Sequence, residues 1–223
     1  MSVVRHTPPE SDLTAAEIVR WQTVPVAVAV DLGPPVAQID PAIRPLCPAG
    51  RQPRLCGRAV TALCQPPDFG AVLHALDVIA PGDVLVIAAA GHRETAMIGE
   101  ILGGHLRRLG AAGVVVDGAV RDAGTLAGWD DLPVFARHVT PRGPSAAEHG
   151  AVNRSVVVGG AIVLPGDLIL GDDDGLAALG PEAVRRAIEA AEAKLALEAR
   201  WTESLAAGRG VAETFGLPPP ETG

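Results

Sequence analysis

The chain has 223 residues and a formal net charge of −8, with 48% apolar, 20% charged and 3% aromatic residues and no Tyr. That length supports one domain with a substantial core, and the composition excludes a disordered chain. The acidic balance and the scarcity of rings argue against a phosphate-backbone or base-stacking nucleic-acid binder, and no run of 18 apolar residues suggests a membrane span.

The first thirteen residues are polar, carry Pro8-Pro9 and lack a signal-peptide core. Thr14-Ala15-Ala16-Glu17 has the spacing of a capping box and predicts a short helix to about Gln22. Val24 to Asp31 is β-rich and predicts a strand. From Leu32 to Arg54 the density of Pro and Gly predicts a long surface loop with one turn of helix. Gly57 to Cys64 reads as the next strand. Asp68 to Ile79 carries Phe69, Val72, Leu73 and Leu76 on one helical stripe.

Pro81-Gly82-Asp83 turns into the apolar run 84–89, a strand covered on both faces. A loop follows over Gly91 to Thr95. Gly99 or a residue just before it opens a helix, with Ile101, Leu102, Leu106 and Leu109 among its apolar positions and Gly110 at its end. Gly113 to Asp117 is the next buried strand, so 84–117 forms a βαβ-like unit with a parallel pair. Pro133 to Ala136 predicts a short strand. Ser155 to Leu170 predicts strands separated by Gly159-Gly160 and Pro165-Gly166 turns. Pro181 starts a long helix that Gly208 stops near Ala207, and it is long enough to reach a neighbouring subunit. Gly216 to Gly223 reads as a loose Pro-rich tail.

The chemistry concentrates between Gly99 and Asp122. Twenty residues separate the Gly99-Glu100 pair from Arg121-Asp122. A helix start at Gly99 would present unpaired N–H groups to an anion, and Gly99 would let a ligand approach the backbone. Glu100 is open to two readings: an acceptor from metal-bound waters, or a solvated first-turn Glu favoured by the helix dipole. Arg121 and Asp122 follow a strand, where α/β proteins bind ligands. Arg offers a planar fork for a carboxylate or enolate oxygen, and Asp is a hard ligand for Mg²⁺ or Mn²⁺. The bland alternative is a surface ion pair at a turn.

Other features carry less. Asp172-Asp173-Asp174-Gly175 reads as a hairpin turn rather than a metal cluster. None of His6, His74, His92, His105, His138 and His149 shows zinc-type or triad spacing; His92 alone lies near the proposed site, as a candidate supporting residue. Cys47, Cys56 and Cys64 form no Cys-x-x-Cys, which predicts free thiols and a reducing cytoplasm. The single lysine, Lys194, lies outside the proposed site, which excludes a Schiff-base aldolase there. No nucleotide-binding glycine fingerprint follows a strand.

Taken in order, Pro81 to Val86, Gly99-Glu100, Gly113 to Asp122, Pro133 to Ala136, Gly150 to Asn153, Pro165 to Asp167 and Asp172 to Gly175 resemble the RraA-like family over roughly residues 24–200. That family includes 4-hydroxy-4-methyl-2-oxoglutarate/4-carboxy-4-hydroxy-2-oxoadipate aldolases and regulators of ribonuclease E. The resemblance implies an α/β fold, a β/β/α sandwich in one domain with a long C-terminal helix, assembled as a trimer or hexamer. It implies a Mg²⁺- or Mn²⁺-dependent lyase that releases pyruvate from 4-hydroxy-2-oxo dicarboxylic acids and decarboxylates oxaloacetate.

By the same resemblance Asp122 would bind the metal directly. Glu100 and Glu198, the latter from another subunit, would act through water. Arg121 and the backbone of Gly99, Glu100, Ile101 and Leu102 would bind the pyruvyl part. Glu100 stands where the best-known aldolases carry Asp. The resemblance leaves two alternatives: a non-catalytic partner that binds and inhibits a ribonuclease, or a lyase on another 2-oxo acid. Labels of menaquinone methyltransferase attached to the family find no matching glycine motif here.

Overall fold

The computed structural model describes residues 2–8, 13–219 and 221. Pro9 of the N-terminal pair and Pro220, Thr222 and Gly223 of the tail lie outside the described residues. The elements in chain order are β1 (Val4–Arg5), α1 (Ala15–Trp21), α2 (Val26–Asp31), β2 (Ala37–Gln38), β3 (Arg44–Pro45), β4 (Leu55–Leu63), α3 (Gly70–Leu76), β5 (Asp83–Ile98), α4 (Glu100–Leu109), β6 (Gly113–Val120), α5 (Ala123–Ala127), β7 (Val134–Val139), β8 (Ala151–Val152), β9 (Val156–Val158), β10 (Ala161–Val163), β11 (Leu168–Asp172), β12 (Gly175–Leu179), α6 (Pro181–Ala206) and α7 (Val211–Phe215).

The main sheet runs β2-β12-β11-β4-β5-β6-β7-β3. Its centre, β4 through β7, is parallel, and β11 joins β4 antiparallel. Side chains alternate across the strands, so each face makes its own core. On one face Val60, Leu85, Ile87, Val114 and Val116 pack with Val72 and Leu76 of α3 and Leu106 of α4. Farther along the sheet Leu168, Leu170 and Leu179 pack with Trp21, Val28 and Ile188 of α1, α2 and α6. On the other face Val84, Val86, Val115 and Ile169 meet Val156, Val158 and Val163 of the β9–β10 hairpin. The layers are a small sheet, a large sheet and helices, as the β/β/α sandwich predicts.

Several predicted elements occur as expected. Thr14 Oγ1 accepts from Glu17 N–H at 3.2 Å while Thr14 N–H donates to Glu17 Oε2 at 2.7 Å, closing the capping box. The β5–α4–β6 unit is parallel, and α6 carries Pro at its start. The acidic run is a hairpin, with Asp172 opposite Gly175. Asp172 Oδ1 accepts from Asp174 N–H, and Asp173 Oδ2 accepts from Gly50 N–H. Those carboxylates are engaged in turn and loop contacts.

Three expectations need correction. Residues 24–31 are not a strand: Val26–Asp31 is helical and packs against β12 and α6. The Val-Ala alternation mimics a strand, but Pro25 sets the entry and Asp172 Oδ2 accepts from Val26 N–H at 2.8 Å, a cap supplied 146 residues away. The 32–54 region is not simply a loop with a helical turn, because Ala37–Gln38 and Arg44–Pro45 pair at opposite edges of the sheet. Gly91 to Thr95 is not a separate loop but lies within the 16-residue β5. There Ala90 and Gly91 take positive φ (50° and 71°), and the register against β6 shifts three times between Ala88 and Ile98. These bulges bend the strand. The short α7 was also unforeseen; its Phe215 ring lies 4.8 Å from that of Trp201 on α6.

Candidate functional site at the strand ends

The bend in β5 decides where the site forms. After the bulges the strand rejoins β6, with Ala96 opposite Ala119 and Ile98 opposite Val120. Both parallel strands then end together. Gly99 and Arg121 come side by side, and Arg121 N–H donates to Ile98 O at 3.1 Å.

Gly99 is the N-cap of α4, and Gly110 closes that helix in the left-handed region at φ 74°. Leu106 is buried beneath it, and a β-carbon at Gly103 would lie 2.8 Å from the Trp129 ring. Arg107 stacks over the same ring at 4.9 Å. This packing fixes the direction in which the N-terminus of α4 points. No side chain of Gly99 can cap it. Instead Asp122 Oδ2 accepts from Glu100 N–H at 3.0 Å. Ile101 and Leu102 follow in the first turn, where helix geometry supplies no carbonyl partner.

Asp122 reaches that position from an unusual backbone. It has φ 56° and ψ 36°, the left-handed region that Asp and Asn tolerate better than most residues. Its Oδ2 also lies 3.6 Å from Arg121 Nε. Among the described residues no hydrogen bond engages Oδ1. Glu100 is exposed, and its Oε2 accepts from Thr125 Oγ1 at 3.2 Å.

The approach is close because glycine leaves room. A β-carbon at Gly99 would lie 2.5 Å from Asp122 Oδ2 and 2.8 Å from Arg121 Cγ, and one at Gly143 would lie 2.7 Å from Arg121 Nη1. Arg121 is thus held between two glycine backbones. It borders a cavity of about 350 Å³ together with Gly99, Ile101, Leu102, Phe69 and Leu73. Four predicted residues, Gly99, Ile101, Leu102 and Arg121, line one cavity; Glu100 and Asp122 are not in its lining but are their chain neighbours, joined by the hydrogen bond from Glu100 N–H to Asp122 Oδ2.

Glu198 is not part of this cluster within the chain. It lies on α6, which packs with α1, α2 and β12, and its Oε1 is 3.6 Å from Lys194 Nζ. Lys194 itself pairs with Asp31 at 2.8 Å. His92 Nε2 lies 2.8 Å from Thr95 Oγ1 within β5, and its hydrogen bonds do not reach Glu100, Arg121 or Asp122. Among the described residues no group of three His, Cys, Asp or Glu side chains is gathered for a metal. The donor set, Asp122 with its free Oδ1 and Glu100 close by, fits a hard ion that keeps most of its water, as Mg²⁺ does. It does not fit a dehydrated all-protein cage.

The walls from Phe69, Leu73 and the Gly143-Pro144 segment were not anticipated. The segment's position depends on Asp68, which is buried and accepts from the N–H groups of Gly70, Glu148 and His149 and pairs with His149 Nδ1 at 3.0 Å. Burial by itself would raise this carboxyl. The three amide donors and the His149 ring outweigh it and hold the carboxyl down at about 2. Ser145 N–H donates to Pro67 O and Phe69 N–H to Ala146 O, so this clamp ties 143–149 to the start of α3. Gly143-Pro144 after a strand was the available sequence signal. A larger cavity of about 580 Å³ lies beside Arg58 and Asp83 at the opposite strand ends, away from these residues.

The layered sheet, and an Arg-Asp pair set against a helix N-terminus where parallel strands end, define an α/β protein of the RraA type. Residues 29–177 match the model of the RraA-like family, described as aldolase/RraA, and the chain belongs to that family. It is 34% identical over 159 residues to a protein of Halalkalibacterium halodurans named "Putative 4-hydroxy-4-methyl-2-oxoglutarate aldolase", covering 71% of this chain and 74% of that one. Its structure resembles Streptomyces coelicolor RraAS2, described as an unusual member of the RNase ES inhibitor RraA protein family. The TM-score is 0.73 at 28% identity, over 83% of this chain and 96% of that one. A Pseudomonas syringae protein shares the fold at TM-score 0.79 and 23% identity, over 94% and 99% of the two chains.

Proposed function

We propose that this chain is a divalent-metal-dependent carbon–carbon lyase that cleaves 4-hydroxy-2-oxo acids to pyruvate, with oxaloacetate decarboxylation as a side activity. The name of the Halalkalibacterium relative puts dicarboxylates of the 4-hydroxy-4-methyl-2-oxoglutarate type first among compounds to test. The observation that carries the reading is the meeting of Arg121, Asp122 and the N-terminus of α4 at the edge of one cavity.

In this reading Asp122 holds Mg²⁺ or Mn²⁺, with Glu100 and a partner copy's C-terminal helix, through Glu198, acting across water. The bound ion supplies Lewis-acid polarisation of the keto group, worth several kcal/mol. Arg121 donates to the carboxylate and to the oxygen that gains charge as the bond breaks. The N–H groups of Ile101 and Leu102 receive an anionic oxygen at the helix start. Glu100, oriented by Thr125, takes the 4-hydroxyl proton through a water. The C3–C4 electron pair passes into the 2-oxo group, and C3 is then protonated to give pyruvate. The site would be completed by assembly into a trimer or hexamer.

The test is pyruvate release by purified protein with Mg²⁺ or Mn²⁺, followed by a coupled reductase. Chelator should abolish release and the metal should restore it. Chelator-resistant turnover, or none with any 4-hydroxy-2-oxo acid, overturns the reading. The similarity to RraAS2 favours a second reading, a partner that binds and inhibits a ribonuclease. Capture of the nuclease by protein without metal-dependent pyruvate release would select it.

A further inference from the structure

We propose that the cavity selects substrates whose distal end is uncharged and apolar: 4-hydroxy-2-oxo monocarboxylates carrying a short alkyl or aryl group at C4. The proposal rests on the pyruvate-lyase reading and narrows it. Its ground is the chemistry of the walls. Among the described residues lining the cavity, Arg121 is the one charged side chain, and the rest of the lining includes Phe69, Leu73, Met97, Ile101, Leu102 and Pro144. Phe69 and Leu73 are half-buried, and Ile101 is 72% exposed although it is large and apolar.

The single guanidinium is occupied by the carboxylate of the pyruvyl half. Among the described residues of this chain, a second carboxylate would meet an apolar wall with no further charged side chain to replace its water, which is unfavourable. A methylene there leaves water for contact with Phe69, Leu73 and Ile101, and gains roughly fourfold in binding for each carbon the cavity accepts. Atoms balance without any co-reactant. R–CH(OH)–CH₂–CO–COO⁻ breaks its C3–C4 bond, the hydroxyl proton ends on C3, and the products are R–CHO and pyruvate.

Two measurements separate this inference from the reading beneath it. The first compares kcat/KM for 4-hydroxy-2-oxopentanoate, 4-hydroxy-2-oxohexanoate and 4-hydroxy-4-methyl-2-oxoglutarate, with exchange of the pyruvate methyl protons in deuterated water as a report on the pyruvyl half alone. The hexanoate should exceed the pentanoate roughly fourfold and the dicarboxylate on the order of tenfold or more. The second, by calorimetry, compares binding of the unreactive 2-oxohexanoate and 2-oxoglutarate, and the alkyl acid should bind tighter. Ile101→Lys, on an exposed position, and Leu73→Arg should each reverse the preference by roughly tenfold, in binding and in turnover. Equal or better use of the dicarboxylate by the unaltered protein overturns the inference and means that a cation from outside this wall, such as a second copy's, completes the cavity. Tighter binding of 2-oxohexanoate without pyruvate from any substrate upholds the apolar wall and overturns the lyase reading.

Discussion

Gly99→Ala isolates the close packing on which the site depends. Gly99 has φ −148° and ψ −163°, an extended conformation open to any residue, so the backbone itself imposes no penalty. The cost comes from neighbours. The new β-carbon would start 2.5 Å from Asp122 Oδ2 and 2.8 Å from Arg121 Cγ. Restoring ordinary contact at 3.4 Å requires shifts of about 0.9 and 0.6 Å in the two groups proposed to act on substrate. Overpacking of this kind costs about 1–3 kcal/mol, including the loosened Glu100 N–H bond to Asp122. For a chain of this length that lowers Tm by roughly 2–12 °C. A displacement near 1 Å in a positioning group costs on the order of 100-fold in rate. The expected outcome is therefore a modest loss in a thermal melt and a much larger loss in coupled pyruvate release. Gly104→Ala is the control. It lies in the same helix, its β-carbon would meet only Arg108 Nη1 at 3.8 Å, and it should raise stability by about 0.5–1 kcal/mol with activity retained. Wild-type kcat/KM in Gly99→Ala would refute the argument that this glycine sets the distance between helix and Arg-Asp pair.

Asp122→Asn should fold and melt within about 0.5 kcal/mol of wild type, because Asn tolerates φ 56° and can still accept from Glu100 N–H, yet lose metal-dependent turnover. Asp122→Ala should lose turnover and about 1–2 kcal/mol of stability as well, read by denaturant titration. Arg121→Ala should cost on the order of 100-fold or more in kcat/KM, and Arg121→Lys should fail to restore it because an ammonium lacks the planar fork held between Gly99 and Gly143. The Asp68 clamp predicts an acid limit. Its carboxyl is held at about 2 in the fold against an ordinary 3.8, so its stabilisation is full above roughly pH 4 and is lost as pH falls towards 2, where the folded state also takes the proton. Melts between pH 5 and 2 should show that slope, and Asp68→Asn should flatten it. Burial pushes the Cys56 and Cys64 thiols up to about 12, so a thiol reagent at pH 8 should react with both much more slowly in the folded protein than after unfolding.

Local order was legible where the cause is local. The capping box at Thr14–Glu17, the glycines that start and stop α4, the apolar run of β6 and the Asp172–Gly175 turn each carry their signal within a few residues. Ordered motifs likewise pointed to the family and to Glu100, Arg121 and Asp122. What the chain alone could not disclose depends on distant partners. Val26–Asp31 is helical because Asp172 caps it from across the fold. Gly91 to Thr95 stays in the sheet because β6 offers a partner to a bulged strand. The approach of Gly99 to Arg121, the Gly143 wall and the apolar lining of Phe69 and Leu73 arise only when four separate segments pack together. Residue type and spacing set which groups are available; the bend of one strand and the clamp at Asp68 set the distances between them, because chemistry at a site depends on separations that no periodicity encodes.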